Sequence, residues 1–358
     1  MSVSVSRSVV RTPVIPLQKT PVHPLHPDVV LKRLPFYILG DVLLRPSSLQ
    51  ASAVNAGGKM KLQDQTFVFH LSPTQARLVS DSRLTGGAGR VEYRQQVQLR
   101  FSLLDTTSEQ PDNFPKSLCV KVNGKMVTLP NPLPSQPGTE PRRPPGPLNI
   151  SHLVKLTNTA SQQNNSLTVS WASVPNIAHT VSVYIVESLT HEDLLKQLQD
   201  KGVRNPVYTR TLIKEKLNDQ DSEIATTSCK VSLACPLGKN RMRIPTRAST
   251  CDHLQCFDAQ TYLMMNEKKP KWNCPVSIQT ALGLSNSSVQ VCNKIAEPIS
   301  LQIDGFFQDL VKSPRLEEDE HEIVLHNDGT WDPLTTAQQV ERMTKSNRKG
   351  PASALAVR

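Results

Sequence analysis

No run of about 18 consecutive apolar residues occurs in the chain, so a transmembrane helix is not expected and no membrane is expected as a partner. The first residues, MSVSVSRSVVRTPVIPLQK, lack a continuous apolar segment followed by a small-residue cleavage site, so secretion is not expected either. Aromatic residues make up only 4% of the sequence, against 28 prolines. That balance predicts extended or disordered stretches beside the folded parts. No Gly-rich phosphate cradle, no Ser-His-Asp or Cys-His catalytic arrangement and no internal repeat is found. His321 and His326 stand five residues apart, one too many for the zinc-protease helix, where both imidazoles share a face at i and i+4.

The seven cysteines are an odd number, and four of them fall within residues 251–292 beside a histidine. That clustering favours reduced, metal-bound thiols over a disulfide framework, and with them a reducing compartment, nucleus or cytosol. The net charge of +10 suits an acidic partner, nucleic acid or protein, although a merely soluble basic protein fits as well. A chain of 358 residues has room for two or three domains.

Residues 1–27 show no sustained periodicity and are expected to be a flexible tail. From residue 28 to 188 short alternating runs predict a β-rich domain: Thr66–Leu71, Val91–Leu103, Leu118–Val122, Ser166–Trp171 and His179–Val186. Asn123-Gly124 predicts a type I′ hairpin turn, and the proline-dense Pro130–Pro147 an extended connector. A helical linker follows over 189–220. Its first helix starts at Thr190 with Glu192 and Asp193 in the first turn, presents Leu194, Leu195 and Leu198 on one face, and ends at Gly202. Asn205-Pro206 reads as a break before a second helix over Thr209–Leu217. Residues 221–335 hold the cysteine-rich region, and the polar stretch 336–358 is expected to be a second disordered tail.

The chemistry is concentrated in Cys251-Asp252-His253-Leu254-Gln255-Cys256-Phe257-Asp258 and Trp272-Asn273-Cys274-Pro275. Zinc takes four thiolate or imidazole ligands in a tetrahedron. A Cys-x-His pair places two on one tight loop, and a helix over about Ala259–Glu267, capped by Asp258, returns the chain to the metal. Taken singly, Cys251 or His253 is better explained as a buried thiol or a satisfied core imidazole. Taken with Cys274 twenty-odd residues on, a metal site is the better account.

These stretches resemble the PIAS/Siz family of SUMO E3 ligases over roughly residues 22–335. The resemblance is carried by Pro35-Phe36-Tyr37, Val120-Lys121-Val122-Asn123-Gly124-Lys125, Cys235-Pro236-Leu237-Gly238-Lys239, the Cys251 block, Met265-Asn266-Glu267-Lys268-Lys269-Pro270 and Asp328-Gly329-Thr330-Trp331. Pro147-Leu148-Asn149-Ile150 is similar to the motif that names the family's PINIT domain. The resemblance implies an α+β multidomain fold: a β-rich PINIT-like domain that binds the substrate protein, a helical linker and a small RING/U-box-like SP-RING with one zinc. It implies Cys251, His253 and Cys274 as zinc ligands, Cys235 and Cys256 as relics of a lost second site, and Leu237, Trp272 and Pro275 as the platform for a SUMO-charged E2. It assigns substrate binding to Pro147, Leu148, Asn149 and Ile150. The implied partners are the SUMO E2, SUMO and nuclear substrate proteins such as transcription factors, with the nucleus as location. The implied mechanism is adaptor-like: proximity and orientation, with no nucleophile on this chain.

Two departures qualify this. Residues 1–27 carry no sign of the family's DNA-binding SAP module, so direct DNA binding is not expected. In addition, Ser277–Val291 separates Cys274-Pro275-Val276 from Cys292-Asn293-Lys294, where the family has an unbroken Cys-Pro-Val-Cys. Such an in-frame insertion is what a retained intron or alternative exon leaves. It makes Cys292 the fourth ligand by alignment, removes the tight knuckle and sets the insert beside the E2 platform. The alternative function is a ligase-impaired splice form that binds substrate and regulates transcription or chromatin.

Overall fold

The computed structural model describes residues 28–49, 62–85, 91–134, 142–156, 163–172, 177–218, 228–278, 290–317 and 320–334. The expected tails at 1–27 and 336–358 and the tip of the insert, 279–289, lie outside these. The chain divides into two compact units, one built on Leu39–Val186, the other on Arg33–Ile38 and the chain from Glu187 onward.

The first unit is a β-sandwich. Its strands are β1 (Tyr37–Leu49), β2 (Leu62–Leu71), β3 (Arg83–Thr85), β4 (Val91–Tyr93), β5 (Gln95–Leu103), β6 (Lys116–Val122), β7 (Lys125–Met126), β8 (Leu148–Asn149), β9 (Gln163–Ala172) and β10 (His179–Ser188), with helix α1 (Pro73–Asp81) after β2. Sheets β1-β10-β5-β8 and β2-β9-β6-β7 enclose one apolar core, while β3 and β4 form a separate pair. Val97, Leu99 and Phe101 of β5 face Leu167 and Val169 of β9 within that core, all essentially fully buried. The Asn123-Gly124 turn forms as expected, with φ of 50° and 79°, positive at both central positions as a type I′ turn requires. β1, α1 and the short β3 and β8 are not legible in the sequence: Gly40, Asp41 and Pro46 interrupt the alternation of β1, and α1 is short and polar, started by a reciprocal Ser72–Gln75 capping box.

The second unit carries α2 (His191–Asp200), β11 (Val203–Arg204), α3 (Pro206–Leu217), β12 (Ser228–Ser232), β13 (Pro245–Ala248), β14 (Phe257–Asp258), α4 (Ala259–Lys268), β15 (Ser277–Ile278), β16 (Gln290–Val291), β17 (Leu301–Asp304), α5 (Gly305–Val311), β18 (Glu322–His326) and β19 (Trp331–Pro333). Helix α2 starts on the Thr190 cap and buries Leu194 and Leu198, as its pattern predicts. Helix α3 begins three residues earlier than expected. Pro206 is its first residue and Asn205 its cap, a position where the missing N–H of proline costs nothing. Sheets β11-β17-β13-β14 and β12-β18-β19 complete the unit. His321–His326 lies on and beside β18, so it makes no zinc-protease helix.

Candidate metal centre

Three short segments deliver four side chains to one point. Cys251 and His253 sit on the loop between β13 and β14, Cys274 follows the turn after α4, and Cys292 lies just beyond β16. Their Sγ and imidazole nitrogen atoms all fall within 4.8 Å of one another. Cys251 Sγ is 3.8 Å from Cys292 Sγ, and His253 Nε2 is 3.2 Å from Cys274 Sγ. A tetrahedron with metal–sulfur bonds of about 2.3 Å has edges of roughly 3.5–3.8 Å, so the spacing and the soft donor set fit zinc.

The imidazole is set for the task by its far side. His253 Nδ1 lies 2.8 Å from the Gln255 carbonyl oxygen. A carbonyl only accepts, so Nδ1 carries the proton and Nε2 turns a lone pair to the thiols. In the bare cluster Cys251 and Cys274 are driven in opposite directions. Cys274's hydrogen bond, with His253, draws the Cys251 thiol down to about 4 against the cost of burial, whereas the same contact and burial push Cys274 up. A divalent cation removes that conflict, since every thiol can then ionise.

The insert does not break the site, because a β-ladder replaces the tight knuckle. One antiparallel register runs through Asn273↔Ile295, Ser277↔Val291 and Ile278↔Gln290. Its hydrogen bonds include Ala296 N–H to Trp272 O at 2.7 Å, Cys274 N–H to Lys294 O at 2.8 Å and Cys292 N–H to Val276 O at 2.9 Å. Cys274 and Cys292 thus occupy diagonal positions across paired arms, a separation that cross-strand neighbours can span. The arms are tied to the first loop by the Asp252–Lys294 ion pair and by Thr250 Oγ1 donating to Ile295 O at 3.1 Å. The sequence signal for this ladder is the β-branched Val276, Ile278, Val289 and Val291 at the two ends of the insert.

Helix α4 spaces the two halves. Asp258 caps it, accepting from Thr261 N–H at 2.9 Å, and also takes the N–H groups of Arg243 and Ile244. Near its other end Asn266 Oδ1 accepts from both Lys271 and Trp272 N–H, at 3.0 and 2.9 Å, fixing the turn in which Trp272 has φ of 53°. Asn266 is a supporting residue that composition and spacing did not single out.

The residues expected on the E2 platform differ in exposure. Leu237 and Pro275 are half-buried at the surface, whereas Trp272 is 7% exposed and packs on Phe36 and Tyr262, with ring centroids at 5.4 and 6.2 Å. Its indole is therefore part of the core and not an exposed contact. Cys235 and Cys256 are buried at 2% and 0%, and burial holds the Cys256 thiol well above its ordinary range.

In the first unit, the segment expected to bind substrate is partly structural. Asn149 and Leu148 pair with Gln98 and Leu99 as β8, and the Ile150 N–H donates to Val97 O at 2.9 Å. The side chains of Leu148 and Ile150 are 5% and 0% exposed within the sandwich core. That corrects their expected role as contacts: both are spent on packing, and only Pro147 and Asn149 reach the surface.

Known proteins share both halves. The model of the PINIT domain matches residues 28–187, and that of the MIZ/SP-RING zinc finger matches 231–279, stopping inside the insert. The E3 SUMO-protein ligase PIAS2 of Mus musculus is 46% identical over 326 residues, 90% of this chain and 48% of that protein. PIAS4 of Mus musculus is 39% identical over 342 residues, 95% of this chain and 60% of that protein. The chain spans about half the length of the PIAS2 proteins it matches. The crystal structure of the S. cerevisiae SUMO E3 ligase SIZ1 has the same fold, with a TM-score of 0.62 at 20% identity over 90% of this chain and 99% of that one. With a PINIT domain, an SP-RING zinc finger and four converging metal-type ligands in one polypeptide, the chain belongs to the PIAS/Siz family.

Proposed function

We propose that the chain is a SUMO E3 ligase of the adaptor type, with residues 28–188 selecting the substrate protein and residues 221–335, packed on α2 and α3, holding the SUMO-charged E2. The observation that carries this is the Cys251–His253–Cys274–Cys292 cluster, closed by the ladder despite the insert. Zinc, when bound, supplies the charge that keeps three thiolates together and locks two loops against α4. Pro275, on one of those loops, and Leu237, on the turn between β12 and β13, then offer the E2 a shallow apolar platform propped from behind by Trp272. Pro147 and Asn149 are the exposed part of the substrate-facing segment. No group on the chain takes part in bond making. The substrate lysine attacks an already activated thioester, and the chain contributes proximity and orientation. The substrates are nuclear proteins such as transcription factors, and the chain acts in the nucleus.

Reconstituted transfer of SUMO to a substrate tests this. Leu237→Ala and Cys274→Ser should each lower the rate at least tenfold without stopping E2 charging, and transfer equal to that without the chain refutes it. A second proposal has one observation in its favour: β15 begins two residues after Pro275. The insert then hinders the E2 and leaves a substrate-binding regulator. In that case, excising residues 277–291 raises transfer by an order of magnitude or more.

A further inference from the structure

We infer that Arg247 is a positioning residue of the metal centre, a fixed cation that anchors the backbone of the His253 loop through its carbonyls. The inference rests on the cluster being a metal site.

Arg247 lies on β13 with 3% of its side chain exposed. One end of its guanidinium, Nη1, donates to the His253 carbonyl at 2.7 Å and to that of Leu254 at 3.4 Å. The other, Nη2, donates to Asp304 Oδ2 at 2.8 Å and to Thr209 Oγ1 at 3.2 Å. Thr209 Oγ1–H donates in turn to Asp304 Oδ2 at 2.7 Å. Asp304 is itself fixed, because its Oδ1 caps α5 by accepting from Phe307 N–H at 3.1 Å. One planar cation thus ties a ligand's own carbonyl to helices α3 and α5.

Two features make this more than core packing. First, the loop carbonyls are engaged at the very residue that supplies the imidazole, so moving the guanidinium moves the ligand. Second, Arg247 stands within electrostatic reach of the fully buried Cys256 thiol, one of the four cysteines that lie outside the metal cluster. A guanidinium delivers a permanent charge and a planar fork of donors, which is what a brace on two adjacent carbonyls needs. Lysine can match the charge but not the fork. Outer partners of metal ligands typically change affinity by 10- to 100-fold when removed.

The test uses the whole chain and two readouts. Single removal of Arg247 leaves Asp304 buried and unpaired, so the informative variant is Arg247→Met with Asp304→Asn. Zinc affinity, measured by competition with a chelator, should fall 10- to 100-fold. The visible bands of the cobalt-loaded protein should shift, and Arg247→Lys should recover only part of both. Amide exchange at residues 253–255 of the metal-free protein should quicken in the double variant, a readout that stands even if the wild-type chain binds no metal. Ile213→Val, a core change placed elsewhere, controls for lost stability. The inference is overturned if the double variant keeps wild-type exchange at 253–255, or if its affinity and spectrum change no more than those of Ile213→Val. Failure of the metal site itself would show separately, as no zinc on the wild-type chain.

Discussion

Excising residues 277–291 joins Val276 to Cys292 and shortens the segment between Cys274 and Cys292 from seventeen residues to two. Were those seventeen residues slack, closing them on a metal would cost about (3/2)RT ln(17/2), roughly 2 kcal/mol, and excision would tighten zinc binding about 30-fold. They are not slack. Ser277–Ile278 is paired on Gln290–Val291, and the same register continues to Trp272 and Ala296, so folding makes much of the closure before metal arrives. The expected gain on excision is therefore below about 30-fold, with one equivalent of metal bound in both forms. Competition against a chelator of known affinity measures the difference, and protection of the Cys274 and Cys292 amides in metal-free protein tests its cause. A gain of 100-fold or more, or unprotected amides, would refute the ladder as the element that holds the fourth ligand. A loss of binding on excision would show that the flanks have become indispensable.

Asn266→Ala removes the acceptor for two backbone N–H groups at the Trp272 turn. It should lower the stability of the second unit by about 1–3 kcal/mol in chemical denaturation. Ile150→Ala should cost the first unit about 2–5 kcal/mol as a cavity in a fully buried site, whereas Pro147→Ala should leave its stability nearly unchanged and weaken substrate capture in pull-down. Burial lowers His179 from its ordinary 6.5 to about 4. The unfolded chain therefore takes up that proton first, and stability is full above pH 6.5 and falls as pH drops towards 4. His179→Gln should flatten that part of the pH–stability curve, and an unchanged slope would remove His179 as its source.

What the sequence made legible was local. The Thr190 and Asp258 caps, the Asn123-Gly124 turn and the leucine face of α2 each depend on residues within a few positions of one another, and each formed as read. Cys251, His253 and Cys274 were legible because zinc restricts ligand type and spacing. What escaped depends on partners far along the chain or on exposure. The alternation of β1 is broken by Gly40 and Pro46, yet pairing with β10 holds it as a strand. Pro206 reads as a breaker until its place at the first helical position is known. Leu148 and Ile150 look like a recognition motif but are consumed by packing on β5. Arg247 meets Asp304 fifty-seven residues away, which no local pattern encodes. Cys292 was indicated by alignment alone, and the ladder supplies the physical reason it can reach the site.

X-ray absorption at the zinc edge of the loaded chain, with and without Cys292→Ser, tests the central claim most directly. The account predicts one zinc per chain with three sulfurs at about 2.3 Å and one nitrogen at about 2.0–2.1 Å, falling to two sulfurs in the variant. A wild-type shell of two sulfurs completed by oxygen, unchanged by the substitution, would contradict it.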